Sequence, residues 1–318
     1  MIRKNFNNFT SVVCAGLLAV LASSVSAKTF ETNKISFRDI TGAVEIVTTS
    51  GDEIDIKIRQ GKKYHHLELS QKDGVVQIIG ERWRDDGRNC CNTRINRKVL
   101  LQKGRKLSTG PSLDEEFFAD YPTIIVSMPF KGDVEFIDAR IKLKMDRLDG
   151  ALALDACYVY GEVGDVDEAV IGLVHGSRLV MGNVSAGLEI DLSGDADLMA
   201  GNAAMVDVDI AGPGDVLLGD VDGMLDVSIA GSGLVRSTRL DGPLTVRIAG
   251  SGAVVVKAGH ADRLRATIDG SGGVYFGGEV TQPELRLFGS SEVKMRSVNG
   301  RMIRHGGGTV YVDDVLVK

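Results

Sequence analysis

The sequence predicts an all-β protein: a single-stranded parallel β-solenoid (β-helix) with coils of about nineteen residues, an N-terminal β layer and one long insertion. Three observations lead there. The 318 residues include 39 glycines but only 6 prolines, and a glycine costs roughly 1 kcal/mol against alanine inside a helix, so a mainly helical chain is excluded. A turn built on glycine recurs at Gly194, Gly212, Gly231, Gly250, Gly270 and Gly289, with gaps of 18, 19, 19, 20 and 19 residues. Before each turn stands a strand of strict period two, which buries one face. With 43% apolar and 25% charged residues the chain has material for a core and is neither disordered nor a multi-span membrane protein.

From the N-terminus, Arg3 and Lys4 precede an apolar run from Val12 to Val25 that closes in Val25-Ser26-Ala27. This is the order of a secretory signal, so residues 1–27 are expected to be a cleaved leader and the mature chain to begin near Lys28. About 14 apolar residues are too few to cross a ~30 Å hydrocarbon core. Cys14 lies inside the run rather than at its end, where a lipid-modified cysteine would stand. The expected location is extracytoplasmic, periplasmic or secreted, with no membrane span after cleavage.

Residues 28–83 alternate in short runs, Ile54/Ile56/Ile58, Leu67/Leu69 and Val76/Ile78 among them. They read as strands continuous with the solenoid or capping it. His65-His66 with Glu68 falls on one such run, where neighbours point to opposite faces, and both histidines are expected at the surface. Residues 84–120 break the alternation, carry Cys90 and Cys91 and many basic residues, and read as a surface insertion loop. An oxidising compartment permits a disulfide. A vicinal Cys90–Cys91 bridge would be strained, so Cys157 with Cys90 or Cys91 is the expected pair. Three cysteines and five scattered histidines do not assemble a zinc site at usual spacings.

The solenoid repeats occupy 121–318. Their inward triplets are Leu152/Leu154/Ala156, Leu188/Ile190/Leu192, Val206/Val208/Ile210, Leu225/Val227/Ile229, Leu244/Val246/Ile248 and Leu264/Ala266/Ile268. An apolar pair follows each turn, as in Val216/Leu218 and Val254/Val256, and a third short leg carries Val184, Val221, Leu240, Val280 or Val298. Gly176 and Gly306 are expected to continue the corner column at its two ends. A β-sandwich also recurs in short strands, but copies of one pattern in register at nineteen residues favour the solenoid.

The segment Ile124-Ile125-Val126-Ser127-Met128-Pro129, with the later Ala249-Gly250-Ser251-Gly252-Ala253-Val254 and Asp269-Gly270-Ser271-Gly272-Gly273-Val274, resembles bacterial extracytoplasmic β-solenoid domains known as adhesin or head domains, or toastrack domains. The resemblance covers about 120–318 and is weaker over 30–82, and the insertion departs from it. It implies the solenoid fold and, loosely, adhesion or envelope-stress sensing. It supplies no catalytic residues.

Charge is unevenly spread. Residues 155–226 hold 12 Asp and 3 Glu against one Arg, a net of −14, whereas 82–106 hold nine basic and two acidic residues, a net of +7. Two outward columns are expected on one sheet face: Glu189, Asp207, Asp226, Thr245, Arg265, and Asp191, Asp209, Ser228, Arg247, Thr267, Arg286. They grade from acid to base and form the candidate binding surface. Its partner would be an envelope protein or polysaccharide, or a second copy whose Arg247, Arg265 and Arg286 meet the acidic end. Stacked carboxylates repel by about 1 kcal/mol per pair in water. Ca²⁺ would offset this, although the chain lacks the glycine–aspartate nonapeptide ladder of calcium-binding solenoids. The preferred reading is a solvated face without a cofactor, partly neutralised by the basic 82–106 stretch folding onto it.

Enzyme motifs are sparse. The glycine turns lead into strands, whereas phosphate-binding loops lead into a helix N-terminus. Asp191, Asp209 and Arg247 occupy columns comparable to those of β-helical polysaccharide lyases, so a carbohydrate-active enzyme is the alternative to a binding protein. An acidic, exported chain short of aromatics argues against nucleic acid. The sequence thus leads to an exported, non-enzymatic β-solenoid with a rigid, adhesin-like binding surface.

Overall fold

The computed structural model describes residues 26–63, 65–81 and 115–317. Their strands join in one sheet of 25 strands, wound into a parallel β-solenoid of about nine turns. Each coil has a long first leg, a corner, a second leg and a short third leg.

The first legs stack in parallel through Val184–Ser193, Ala203–Gly212, Leu225–Gly231, Leu244–Gly250 and Gly259–Gly270, with Leu188, Val206, Leu225, Leu244 and Leu264 in one column. Every inward triplet expected from the sequence is buried. Second legs stack likewise through Asp197–Ala200, Asp215–Val221, Leu234–Asp241 and Ala253–Val256. One inward second-leg position is polar: Ser237 is buried, and its one hydroxyl proton lies between the carbonyls of Gly219 and Arg239, each 2.9 Å from Oγ, so the hydroxyl is satisfied inside the core. In the third leg Leu148, Val166, Val184, Ala203, Val221 and Leu240 form a single inward column.

Glycine at the first corner follows from stacking. Gly250 has φ 132°, and a Cβ there would lie 2.4 Å from the carbonyl oxygen of Gly231 one coil earlier. Both the backbone angle and the space exclude a side chain. The ends of this column differ from expectation. Because Val174 pairs with Ser193, the residue opposite Gly194 is His175, itself at φ 41°, and not Gly176. At the other end Gly306 pairs with Leu287, two residues ahead of the corner glycine Gly289.

A ladder at the opposite corner lay hidden in the sequence. The Asp165 side chain accepts the Asn183 amide (2.7 Å), Asn183 accepts that of Asn202 (2.9 Å), and Asn202 accepts that of Asp220 (2.9 Å). Thr238 then donates to Asp220. Backbone donors that the bend removes from the sheet are thereby satisfied.

The N-terminal strands are continuous with the solenoid. Lys34–Arg38 lies parallel between Val75–Ile79 and Asp133–Met145, and Thr41–Thr49 between Thr123–Pro129 and Asp133–Met145. Antiparallel strands close this end: Ile54–Arg59 pairs with Thr123–Pro129 and with Ser26–Phe30, so Ser26 and Ala27, assigned above to the leader, lie opposite Ile58 and Lys57. The other end is closed by Val315–Val317 folding back on Thr309–Val312. Arg304, in an inward register opposite Leu285, donates to the Val317 carbonyl at 2.8 Å and to that of Gly308 at 2.5 Å. A charged inward residue of this kind ends a stack without leaving bare carbonyls.

Two local expectations are corrected. His65 is buried; its Nε2 accepts the Glu81 amide at 3.3 Å and its ring meets Tyr121 edge-on at 6.4 Å. It precedes the strand Glu68–Lys72 rather than lying on it, so alternation does not govern it. The last part of the insertion is a helix, Glu115–Ala119, whose Phe118 is buried and stacks on Tyr158 at 5.9 Å; residues 82–114 lie outside the described residues.

Candidate functional site

Alternation along each first leg turns Glu189, Asp191, Asp207, Asp209 and Asp226 outward while their neighbours enter the core. The register places Glu189 beside Asp207 and Asp207 beside Asp226, and Asp191 beside Asp209. Both expected columns are therefore real, with carboxylates about 4.8 Å apart along each. The patch is bounded on the N-terminal side by Val170 and Gly172, which pair with Glu189 and Asp191.

At the other end the picture changes. Arg247 stands two coils from Asp209, with Ser228 between them, and its Nη1 lies 2.7 Å from Asp226 Oδ1. Arg265 meets Glu284 at 3.0 Å and Arg286 meets the other oxygen of Glu284 at 3.3 Å. The hydrogen bond from Arg265 holds the Glu284 carboxyl below the ordinary carboxylate value. The three arginines are thus engaged with carboxylates of their own face. Glu284 was missed, although it stands nineteen residues after Arg265 and so in the same column.

This geometry bears on the chemistry considered above. Among the described residues no group of three or more His, Cys, Asp or Glu is arranged to hold a metal ion. Column carboxylates project side by side from a flat sheet, whereas Ca²⁺ takes six to eight oxygens from around it. The lyase-like set does not converge, because the Arg247 guanidinium faces Asp226 rather than Asp191 or Asp209. Cys157 is engaged in a disulfide; Cys90 and Cys91 lie outside the described residues, as does the basic 82–106 stretch.

The second legs present a different outer face. Val180, Met199 and Leu217 form an apolar column, and further along Lys294 sits between Tyr275 and Tyr311, its Nζ 5.6 and 5.2 Å from the ring centroids and 3.2 Å from Glu292. That ammonium is held by two rings and a carboxylate. Among the described residues no helix is long and apolar enough to cross a membrane.

No family model matches the chain, and no curated protein matches it. Similar solved structures include one named “Putative lipid binding protein” from Parabacteroides distasonis, at 13% identity and TM-score 0.44 over 92% of this chain and 97% of that one. Two are named “putative adhesin”. That from P. distasonis has 14% identity and TM-score 0.31 over 91% and 97% of the two chains; that from P. merdae has 12% and 0.32 over 92% and 96%. At these identities and scores, the fold described here rests on the strand register.

Proposed function

We propose that the chain is an exported, non-enzymatic binding protein whose acidic first-leg face engages a cationic segment of an envelope partner. The observation that carries this reading is the register of Glu189, Asp207 and Asp226 beside Asp191 and Asp209: two parallel rows of carboxylates on a face that the stacked coils hold rigid. A rigid row needs no ordering when a ligand arrives, which lowers the cost of association. Self-association through Arg247, Arg265 and Arg286 is disfavoured, because each already meets Asp226 or Glu284. The leader expected at 1–27 supports a location outside the cytoplasm.

The test is binding to immobilised poly-lysine at low and high salt, with light scattering alongside. Exposed charges more than ~8–10 Å apart are screened near physiological ionic strength, so binding should fall as salt rises and should weaken in Asp207→Asn/Asp209→Asn, while the protein stays monomeric throughout. Binding insensitive to salt and to the double substitution refutes the acidic face as the site.

A further inference from the structure

We propose that a cleft at the corner between the third and first legs of the N-terminal coils binds a neutral, polyhydroxylated ligand, an oligosaccharide. The cleft stands apart from the acidic face and does not rest on the reading of that face. Its volume is about 560 Å³, within the ~300–1,000 Å³ of small-molecule sites.

The depression is dictated by the backbone. Asn33 stands at one end of the corner column and Asp167 at the other; between them come Gly132 and Gly150, so two successive coils place no side chain there. Neither glycine is replaceable. A Cβ at Gly132 would lie 2.3 Å from the Asn33 carbonyl oxygen, and one at Gly150 only 1.9 Å from that of Gly132. Stacking thereby fixes an open notch across four coils, about 14 Å at ~4.8 Å per coil.

The polar groups around the notch are held in place by the protein itself. Asp133 takes the Lys34 ammonium at 2.7 Å and the Ala151 amide at 3.3 Å, and the Lys34 hydrogen bond holds its carboxyl below the ordinary value. Arg147 closes on Asp149 through Nη2 at 2.7 Å and Nε at 2.8 Å. Asn33 donates to the Lys131 carbonyl at 2.7 Å, and Asp167 accepts from Ser185 at 2.8 Å. Each carboxylate retains lone pairs, and Arg147 retains N–H donors beyond those facing Asp149.

The balance of charge selects the ligand class. Lys131 and Arg147 line the notch with Asp133, Asp149 and Asp167, and Lys34, from beside the lining, pairs with Asp133, so an anion or a cation gains little from the net field. A ligand carrying donors and acceptors side by side, as vicinal hydroxyls do, uses both kinds of group at once. Phe130, one residue before Lys131 and 38% exposed, stands next to the lining rather than in it; its carbonyl accepts the Asp149 amide at 2.6 Å.

The experiment is saturation-transfer NMR and calorimetry on the exported chain with maltotriose, chitotriose and xylotriose, and with trigalacturonic acid as the charged counterpart. At least one neutral trisaccharide should bind saturably and more tightly than the acidic one. Arg147→Ala and Asp167→Ala should weaken it about tenfold, the loss of one charge-assisted hydrogen bond. Lys131→Ala, at an exposed position that cannot disturb the fold, should weaken it too. Asp207→Asn/Asp209→Asn should leave it unchanged, so failure here and failure of the acidic-face reading are separately visible. Binding of none of the neutral sugars, preference for the acidic one, or affinity indifferent to all three cleft substitutions overturns the proposal.

Discussion

Replacing Gly250 by alanine tests the stacking argument at its most demanding point. The corner has φ 132°, where a non-glycine residue carries roughly 1–3 kcal/mol of strain. The new methyl would also sit 2.4 Å from the Gly231 oxygen, against an ordinary contact of 3.4 Å or more. Relief requires the two coils to part by nearly an ångström, and that oxygen accepts the amides of Ser251 at 2.9 Å and Gly252 at 3.0 Å. Weakening these adds about 1 kcal/mol, while the stiffer unfolded chain returns about 0.4–1 kcal/mol. The net expectation is a loss of ~1–3.5 kcal/mol. At ~2–4 °C per kcal/mol, Tm should fall by roughly 2–14 °C in far-UV circular dichroism melts. Gly187 supplies the control. It lies in a first leg opposite Met205 with nothing within 4 Å of its absent Cβ, so Gly187→Ala should be neutral or stabilising by ~0.5–1 kcal/mol. If both substitutions moved Tm in the same direction by similar amounts, close stacking would not be what reserves the corner for glycine.

Other outcomes follow from the same register. Ile248→Ala should cost ~2–5 kcal/mol through lost burial and a cavity, whereas Ser228→Ala on the outer face should stay within about 0.5 kcal/mol; the reverse order in urea melts would mean a one-residue error in register. His175 occupies the corner at φ 41°, a conformation costing ~1–2 kcal/mol for most residues, so His175→Gly should hold or raise Tm, and His175→Val should lower it. The Lys34 hydrogen bond depresses the Asp133 pKa and in return raises that of Lys34. The pair's stabilisation is therefore present above the unfolded carboxyl pKa of about 4 and is lost as pH falls through the lower folded value; on the alkaline side it is lost only above ~10.4. Asp133→Asn should accordingly lower Tm at pH 7, with the deficit shrinking as pH falls below the ordinary carboxyl range, and a deficit that stays constant with falling pH would exclude the ion pair as its cause.

The solenoid was legible because its determinants recur. A triplet such as Leu244/Val246/Ile248 is ambiguous alone, but six copies at nineteen residues fix both the inward face and the neighbour of every residue. The same arithmetic gave the outward columns, since Asp207 and Asp226 are nineteen apart and pair directly. What escaped was whatever the period does not govern. His65 lies in a loop, and its burial depends on Tyr121, far away in sequence. The strand Thr123–Pro129 inserts between Thr41–Thr49 and Ile54–Arg59, and no local pattern announces a return across the insertion. The Asp165–Asn183–Asn202–Asp220 ladder was periodic and visible, but polar residues after a glycine read as ordinary turns unless they are aligned coil by coil. The cleft was hidden for a related reason: Gly132 and Gly150 stand outside the Gly-Ser-Gly pattern, and their consequence is a missing side chain.

Periodicity also explains why an outward gradient of charge need not be a gradient of potential. In a coil of nineteen residues, charges nineteen apart share a column and those two residues further on lie diagonal to it. Arg265 therefore meets Glu284 directly, and Arg247 reaches Asp226 across the diagonal. Each arginine that seemed to build a basic end instead neutralises a carboxylate within one coil. Between Glu189 and Asp209 neither column holds a basic residue of its own, and the next coil toward the N-terminus contributes Val170 and Gly172, the one before it Ala153 and Asp155. The face thus divides into a block whose columns hold only carboxylates and a block in which three arginines share Asp226 and Glu284. Outward residues contribute little to the stacking that holds the coils, so substitutions in these columns change the surface charge without changing the register that orders it.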